Sequence, residues 1–533
     1  MTTLINMEKF FLWAWIIPPF FLMCLSIKTR NSTISLLGAL ITASILASLH
    51  SSQHFFKIFF LFFNATFHHD FFSSPKYQIF KTMALLGIFT QALQSSGYST
   101  AFTNAALKSL QNKKKAQITT ASFSLCFCLD DYFSILTSGA IARPIFQRFH
   151  IPKTKLAWML DSLASPVVAL CPFSSWSPVI LSFIIDAHLE RISTSPTQAY
   201  WSTLPWLFYS YITIATTFWT LSNTPKQTAP CSKIIEKPYP QSNCNPWPFL
   251  TVFLLMITTT WISTLWVGGF FKHYTWHKAM QSASMSQSLQ HGFIAGICVT
   301  LYSAKTQKKS PKKILFQSIE KSFPGFLLTV ITLTMAWTLG QIMSQYLSME
   351  EAFTLLLQNI TIEWSPCFFF ISSIFLAMTT GSSWATAALL FPTAANALIT
   401  AQASAWLYPT FGAILSGSIA GDHLSPISDT TMLAAKSAQC SLHEHISTQF
   451  KQTLPNFITT LFGFFIIAWL PELTSQPHII VIFIIFTAVA VSHDIWSDTQ
   501  RNLRDHRQEQ RPDPTPQTQQ PTPRHNIQQK TNT

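Results

Sequence analysis

The sequence predicts an all-α polytopic membrane protein with an inverted-topology repeat, and three observations predict it. Only 10% of the 533 residues are charged, against about 25% in a soluble domain. Another 48% are hydrophobic, including 47 phenylalanines. Apolar stretches near the roughly 20 residues that a bilayer crossing needs recur at 11–27, 34–50, 82–105, 156–185, 203–221, 248–270, 288–304, 324–346, 406–439, 454–470 and 478–493.

The first stretch has no basic leader and no small-residue cleavage site after it, so it reads as a retained helix and not as a signal peptide. Two polar stretches then divide the chain. A first transmembrane repeat is expected over 1–223, a Pro-rich cytoplasmic linker over 224–247, a second repeat over 248–471 and one extra helix over 478–493. The Gln-, Pro- and Thr-rich tail, 497–533, has almost nothing apolar to bury and is expected to be disordered and cytoplasmic. The nine cysteines are scattered and lack metal-ligand spacing with histidine partners, so no disulfide framework, zinc site or cofactor is expected.

Each half is expected to hold five spans, one re-entrant hairpin and one broken helix. Residues 116–145 are two apolar arms of about 14 residues around Asp130 and Asp131, roughly 21 Å each, too short to cross alone. A hairpin with the aspartates at its tip keeps the basic loops on either side of it (Lys108 to Lys115, Arg143 to Lys155) on one face of the membrane. Residues 365–398 repeat the shape around TTGSSWAT, with acidic flanks that place their entry on the opposite face. After each hairpin comes a long apolar segment with a polar break, expected at 159–168 (MLDSLASPVV) and 420–429 (AGDHLSPISD), so that Pro166, Pro426, Gly381 and Gly421 interrupt helices. Residues 51–81 read as an amphipathic segment on the outer surface, with a span as the alternative.

With the amino terminus outside, and the long tail set aside because such tails say little about orientation, 20 basic residues fall in cytoplasmic segments and seven outside. The net charge of +13 is therefore a topology signal, and no nucleic-acid partner is expected. The partners are the lipid bilayer, the transported species and, if the chain self-associates, a homodimeric copy.

Five carboxylates sit at membrane depth: Asp130, Asp131, Asp161, Asp422 and Asp429. Each costs roughly 3 kcal/mol at the bilayer centre, so each needs a use or a partner. Capping of broken helix ends is one use, for Asp130 or Asp131 at the hairpin tip and for Ser428 or Asp429 before Thr430. Capping needs no charge, however, since Ser and Thr do it. Freed carbonyls beside the hydroxyls of Ser165, Ser382, Ser383, Thr386, Ser425, Ser428, Thr430 and Thr431 supply hard oxygens for an alkali cation. A carboxylate desolvated beside a like charge, as in Asp130-Asp131, can instead hold a proton near neutrality. Such a set suits exchange of a cation, taken as Na+ at Asp422, Asp429, Ser428 and Asp131, for protons. His423 can relay protons in the physiological range; the bland reading is a packed core histidine. Lys436, two turns beyond Asp429, can be an ion-pair partner, a cation surrogate or a snorkelling side chain.

The motifs LDDYFSILTSGAIARPI (129–145), LDSLASPVVALCPFSSW (160–176), TGSSWAT (380–386), GDHLSPISDTTML (421–433) and HISTQ (445–449) resemble the NhaC-type sodium/proton antiporters of the ion transporter superfamily, over about residues 80–455. The resemblance implies a secondary Na+/H+ antiporter of a bacterial inner membrane, not an enzyme, with its site at Asp130, Asp131, Asp161, Ser174, Ser175, Trp176, Gly381, Trp384, Thr386, Asp422, His423, Ser425, Pro426, Ser428, Asp429 and Thr430. The sequence departs from the family pattern at Ser382 (usually Thr), Ala385 (Gly), Leu424 (Cys), Ala434-Ala435 (Ser-Ser) and Lys436 (small or hydroxyl). The rival reading is a proton- or sodium-coupled exchanger of organic anions or amino acids. A more distant one is an intramembrane aspartyl protease, disfavoured because Ile419-Ala420-Gly421-Asp422 lacks the first glycine of a Gly-x-Gly-Asp signature.

Overall fold

The computed structural model describes residues 14–490 apart from 224–244 and shorter gaps, the longer of which are 67–74, 106–109, 188–194, 271–274 and 356–360. The expected Pro-rich linker and disordered tail lie almost wholly outside the described residues. Among those described, every regular element is a helix. In chain order they are α1 (Ile17–Thr29), α2 (Ser32–Ser51), α3 (Phe55–Thr66), α4 (Pro75–Ser95), α5 (Lys113–Cys126), α6 (Asp131–Arg148), α7 (Lys153–Leu170), α8 (Trp176–Asp186), α9 (Pro196–Thr203), α10 (Phe208–Ser222), α11 (Trp247–Val267), α12 (Met285–Thr306), α13 (Pro311–Tyr346), α14 (Ser365–Thr380), α15 (Ser383–Thr400), α16 (Leu407–Leu424), α17 (Asp429–Ala438) and α18 (Leu442–Trp469). A further apolar helix, α19, covers Pro477–Ala490.

Four described helices are long and apolar enough to cross a bilayer, with spans at Thr33–Ser51, Trp247–Val267, Pro311–Met343 and Leu442–Trp469. Their lipid-facing sides stay apolar and open, as at Leu254, Ile262, Phe316 and Phe462. With no water at that depth, backbone groups must pair within the helix, which is why helices carry the chain across. Helix α3 is 12 residues long, about 18 Å. It buries Ile58 and exposes Phe56 and Phe60, a two-sided helix too short to span.

The centre is made of interrupted helices. The pair α5 and α6 meets at a break over residues 127–130, and α14 and α15 meet at Gly381 and Ser382. Gly381 has φ +65°, a left-handed conformation that glycine enters without a Cβ clash. Next in each half comes an 18-residue helix, a break and a short helix: α7 and α8 around residues 171–175, α16 and α17 around residues 425–428.

The second of these breaks is where the sequence places it; the first is not. Residues 159–168 are continuous helix, with Pro166 inside α7, and the chain opens only at Cys171. Gly421 likewise lies within α16. A proline removes one helical hydrogen bond, but neighbouring helices can re-satisfy the freed group in a membrane helix. Every residue from Leu156 to Ala169 is buried against such neighbours. The side chains at the breaks, and not a lone proline, decide where the helix stops.

Candidate functional site

Three of the four breaks are closed by hydroxyl or carboxylate caps, and Ser175, before α8, makes no such cap bond. Asp130 accepts the Phe133 N–H at 2.9 Å and starts α6. Ser382 accepts Ala385 N–H at 3.2 Å and starts α15. Ser428 accepts Thr431 N–H at 3.4 Å and starts α17. Orphan amides at a helix start favour such acceptors. The two breaks of the first half are also tied together: Ser175 N–H donates to Leu129 O at 2.7 Å, and the Cys128 and Cys171 sulfurs lie 3.2 Å apart.

These starts converge on one cavity of about 710 Å³ lined by Asp130, Asp131, Tyr132, Trp176, Gly381, Ser382, Ser383, Trp384, Asp422, Ser428, Asp429 and Thr430, with α2, α4 and α13 closing its other side. Four of the five membrane-depth carboxylates share it. Asp131, 3% exposed, accepts Trp176 Nε1–H at 3.2 Å, and Ser175 Oγ donates to Asp130 at 3.0 Å. Thr430 Oγ1 donates to the buried Asp422 at 2.9 Å. Tyr132 OH reaches Asp429 at 3.4 Å, joining the halves, and the Trp176 and Trp384 rings meet edge-on across them at 6.2 Å.

The remaining sequence candidates stand elsewhere. Thr386 bonds back to Ser382 O of its own helix turn at 3.1 Å, as isolated hydroxyls in helices tend to. Ser425 Oγ donates to Met378 O at 2.8 Å and pins the second break onto α14. Ser165 is buried within α7 and does not line the cavity. Lys436 is exposed in the last turn of α17, where a cation meets the negative end of the helix dipole. His423, 2% exposed, faces away from the cavity and bonds Tyr209 OH through Nδ1 at 2.9 Å.

Asp161 is also behind the cavity. It accepts Thr431 Oγ1–H and the His445 ring, each at 3.1 Å. In the sequence His445 stands out only as the first residue of the HISTQ motif, two positions after His443. His443 is exposed, but His445 is wholly buried. The signal was present in α18 itself: His445, Gln449, Thr453, Asn456 and Thr460 recur at three- and four-residue spacing and are all buried, a polar stripe turned inward.

The profile of the Na+/H+ antiporter family matches residues 167–469, more than half of the chain. The chain belongs to the Na+/H+ antiporter family. An uncharacterized protein of Haemophilus influenzae is 27% identical over 408 residues, 73% of this chain and 78% of that protein. An uncharacterized Na(+)/H(+) antiporter of the same organism is 37% identical over 98 residues, 18% of this chain and 20% of its own. The fold is similar to the crystal structure of the Alcanivorax borkumensis YdaH transporter, with a TM-score of 0.51 and 13% identity over 74% of this chain and 84% of that one. The protein is thus a multi-pass membrane protein and a secondary transporter. The profile match takes in α15, α16, α17 and the breaks before α15 and after α16, the second-half wall of the cavity.

Proposed function

We propose that the protein exchanges sodium ions for protons across a bacterial inner membrane, with Asp131, Asp422 and Asp429 in the cavity alternately taking cation and proton. The observation that carries this reading is the convergence of acidic side chains from both halves on one chamber at interrupted helices. Ser428 and Thr430 add neutral oxygens there, and Asp130 and Ser382 hold the helix starts that shape it. Two carboxylates this close, out of bulk water, cannot both stay charged cheaply. A sodium ion relieves that repulsion, and so does a proton, which makes the two compete.

The matching order of helix, break and helix in α5 to α8 and α14 to α17 supports an inverted repeat, with the two hairpins re-entrant from opposite faces. The excess of lysine and arginine in the assigned inner loops supports an outer amino terminus. Rocking one half against the other then opens the chamber to each side in turn.

The experiment is reconstitution into vesicles with a preset pH gradient. Sodium alone should collapse the gradient, and Asp422→Asn should abolish that collapse. A cavity of about 710 Å³ has room for roughly two dozen waters, which is the observation favouring an exchanger of organic acids or amino acids. Collapse that needs an added organic solute would support that second reading instead.

A further inference from the structure

Behind the cavity lies a second cluster of buried polar side chains, between α7, α10, α16 and α18, that the exchange reading above does not use. At its centre His445 Nε2 and Asp161 Oδ2 are 3.1 Å apart, at 0% and 1% exposure. Asp161 Oδ1, His445 Nδ1 and Gln449 Oε1 are three of the buried polar atoms here that have no hydrogen-bond partner in the protein. Leaving a buried polar atom unpaired costs about 1–3 kcal/mol, so three together are more than a structural contact requires. Two ligating side chains meet here, and among the described residues no group of three His, Cys, Asp or Glu could hold a metal ion.

The cluster is joined to the cavity by neighbouring residues of one helical turn. Thr430 bonds Asp422 on the cavity side, and Thr431 bonds Asp161 on the far side. Both carboxylates are thus bonded to the first turn of α17.

We propose that Asp161 and His445 form a proton-carrying pair set apart from the cation cavity, so that proton and cation travel by different places and are coupled through Thr430 and Thr431. The step balances within the pair. A proton added at Nδ1 makes an imidazolium, the Nε2 proton passes to Asp161 Oδ2, and what remains is a neutral carboxyl beside a neutral imidazole protonated at Nδ1. Reversal releases the proton. Other titratable groups face the pair: Asp422 and His423 on α16 and Tyr209 on α10. Asp131 on α6 and Asp429 on α17 face the cavity, Lys436 on α17 is exposed, and Lys113 to Lys115 stand at the start of α5.

This inference rests on sodium/proton exchange, and its test separates the two. In vesicles holding the full chain, sodium-driven proton movement is measured across pH 6 to 9 alongside exchange of labelled sodium for unlabelled sodium, which moves no net proton. His445→Gln should slow proton-coupled exchange about a hundredfold, as loss of a proton-transfer group does, and flatten its pH profile, with sodium/sodium exchange within about twofold of wild type. Thr431→Val, which leaves the pair in place, should slow the coupled mode alone. Equal loss of both modes, or no loss of either, overturns the proposal. A wild-type protein without sodium-driven proton movement overturns the exchange reading and this inference together.

Discussion

Gly421→Ala should loosen the seam between α14 and α16. A Cβ at Gly421 would sit 2.4 Å from Ile374 O and 2.9 Å from both Ile374 Cα and Ala377 Cβ; at Gly417, one turn earlier, it would sit 2.4 Å from Phe370 O. Carbon and oxygen in close contact need about 3.3 Å, so α14 has to back away by nearly 1 Å. The obstacle is backbone and cannot rotate aside. Overpacking of this kind costs about 1–3 kcal/mol, less the roughly 1 kcal/mol that alanine gains over glycine in a helix; the net loss is up to about 2 kcal/mol. Small residues four apart are how membrane helices approach closely. The assay is the thermal midpoint of the purified protein in detergent, with Gly325→Ala as the comparison, since a Cβ there meets nothing within 4 Å. Gly421→Ala should melt lower than wild type and Gly325→Ala no lower. A Gly421→Ala protein as stable as wild type would refute the packing argument.

Three further outcomes are expected. Thr430→Val removes the hydroxyl that donates to Asp422 at 2.9 Å; a bond to a charged group contributes about 1.5–3 kcal/mol, so half-saturating sodium should rise at least tenfold, and an unchanged value would separate Asp422 from the cation. Ser382→Ala strips the cap of α15 and should lower stability by about 1 kcal/mol, read as a lower thermal midpoint, whereas Ser382→Thr keeps the acceptor and should match wild type. Lys155 stands at the start of α7 ahead of its apolar run, and burial, with Lys113 adding to it, pulls its ammonium from 10.5 down to about 7. Its folded value lies below the unfolded one, so the destabilisation is full below pH 7 and fades as pH rises toward 10.5. Lys155→Met should therefore melt higher than wild type at pH 6, with the gap closed near pH 10.

The cavity was legible in the sequence because charge at membrane depth is conspicuous against so apolar a background. Asp130, Asp131, Asp422 and Asp429 needed no geometry to be noticed, and Gly381 and Pro426 marked true breaks. The first-half break was not legible. Asp161 to Pro166 resembles Asp422 to Pro426 in spelling, yet surrounding helices hold the first as continuous α7, and its opening falls at Cys171, where no charged residue draws the eye. His445 was missed for the opposite reason. It sits among His443, Glu444 and Thr448, and a polar helix end reads as solvated unless its inward stripe is followed for four turns.

The donors that hold Asp130, Asp131 and Asp422 are a serine hydroxyl, an indole and a threonine hydroxyl. None brings a positive charge, although the lining of the cavity does include one, Lys321 on α13. In the exchange proposed above, the rest of the compensation is left to the passenger. Emptied of both metal ion and proton, the centre would be a knot of mutual repulsion in a poorly polarisable setting, a state too high in energy to swing across the bilayer. A carrier working by the proposed exchange would return only when loaded, which would turn two separate leaks into one obligatory swap.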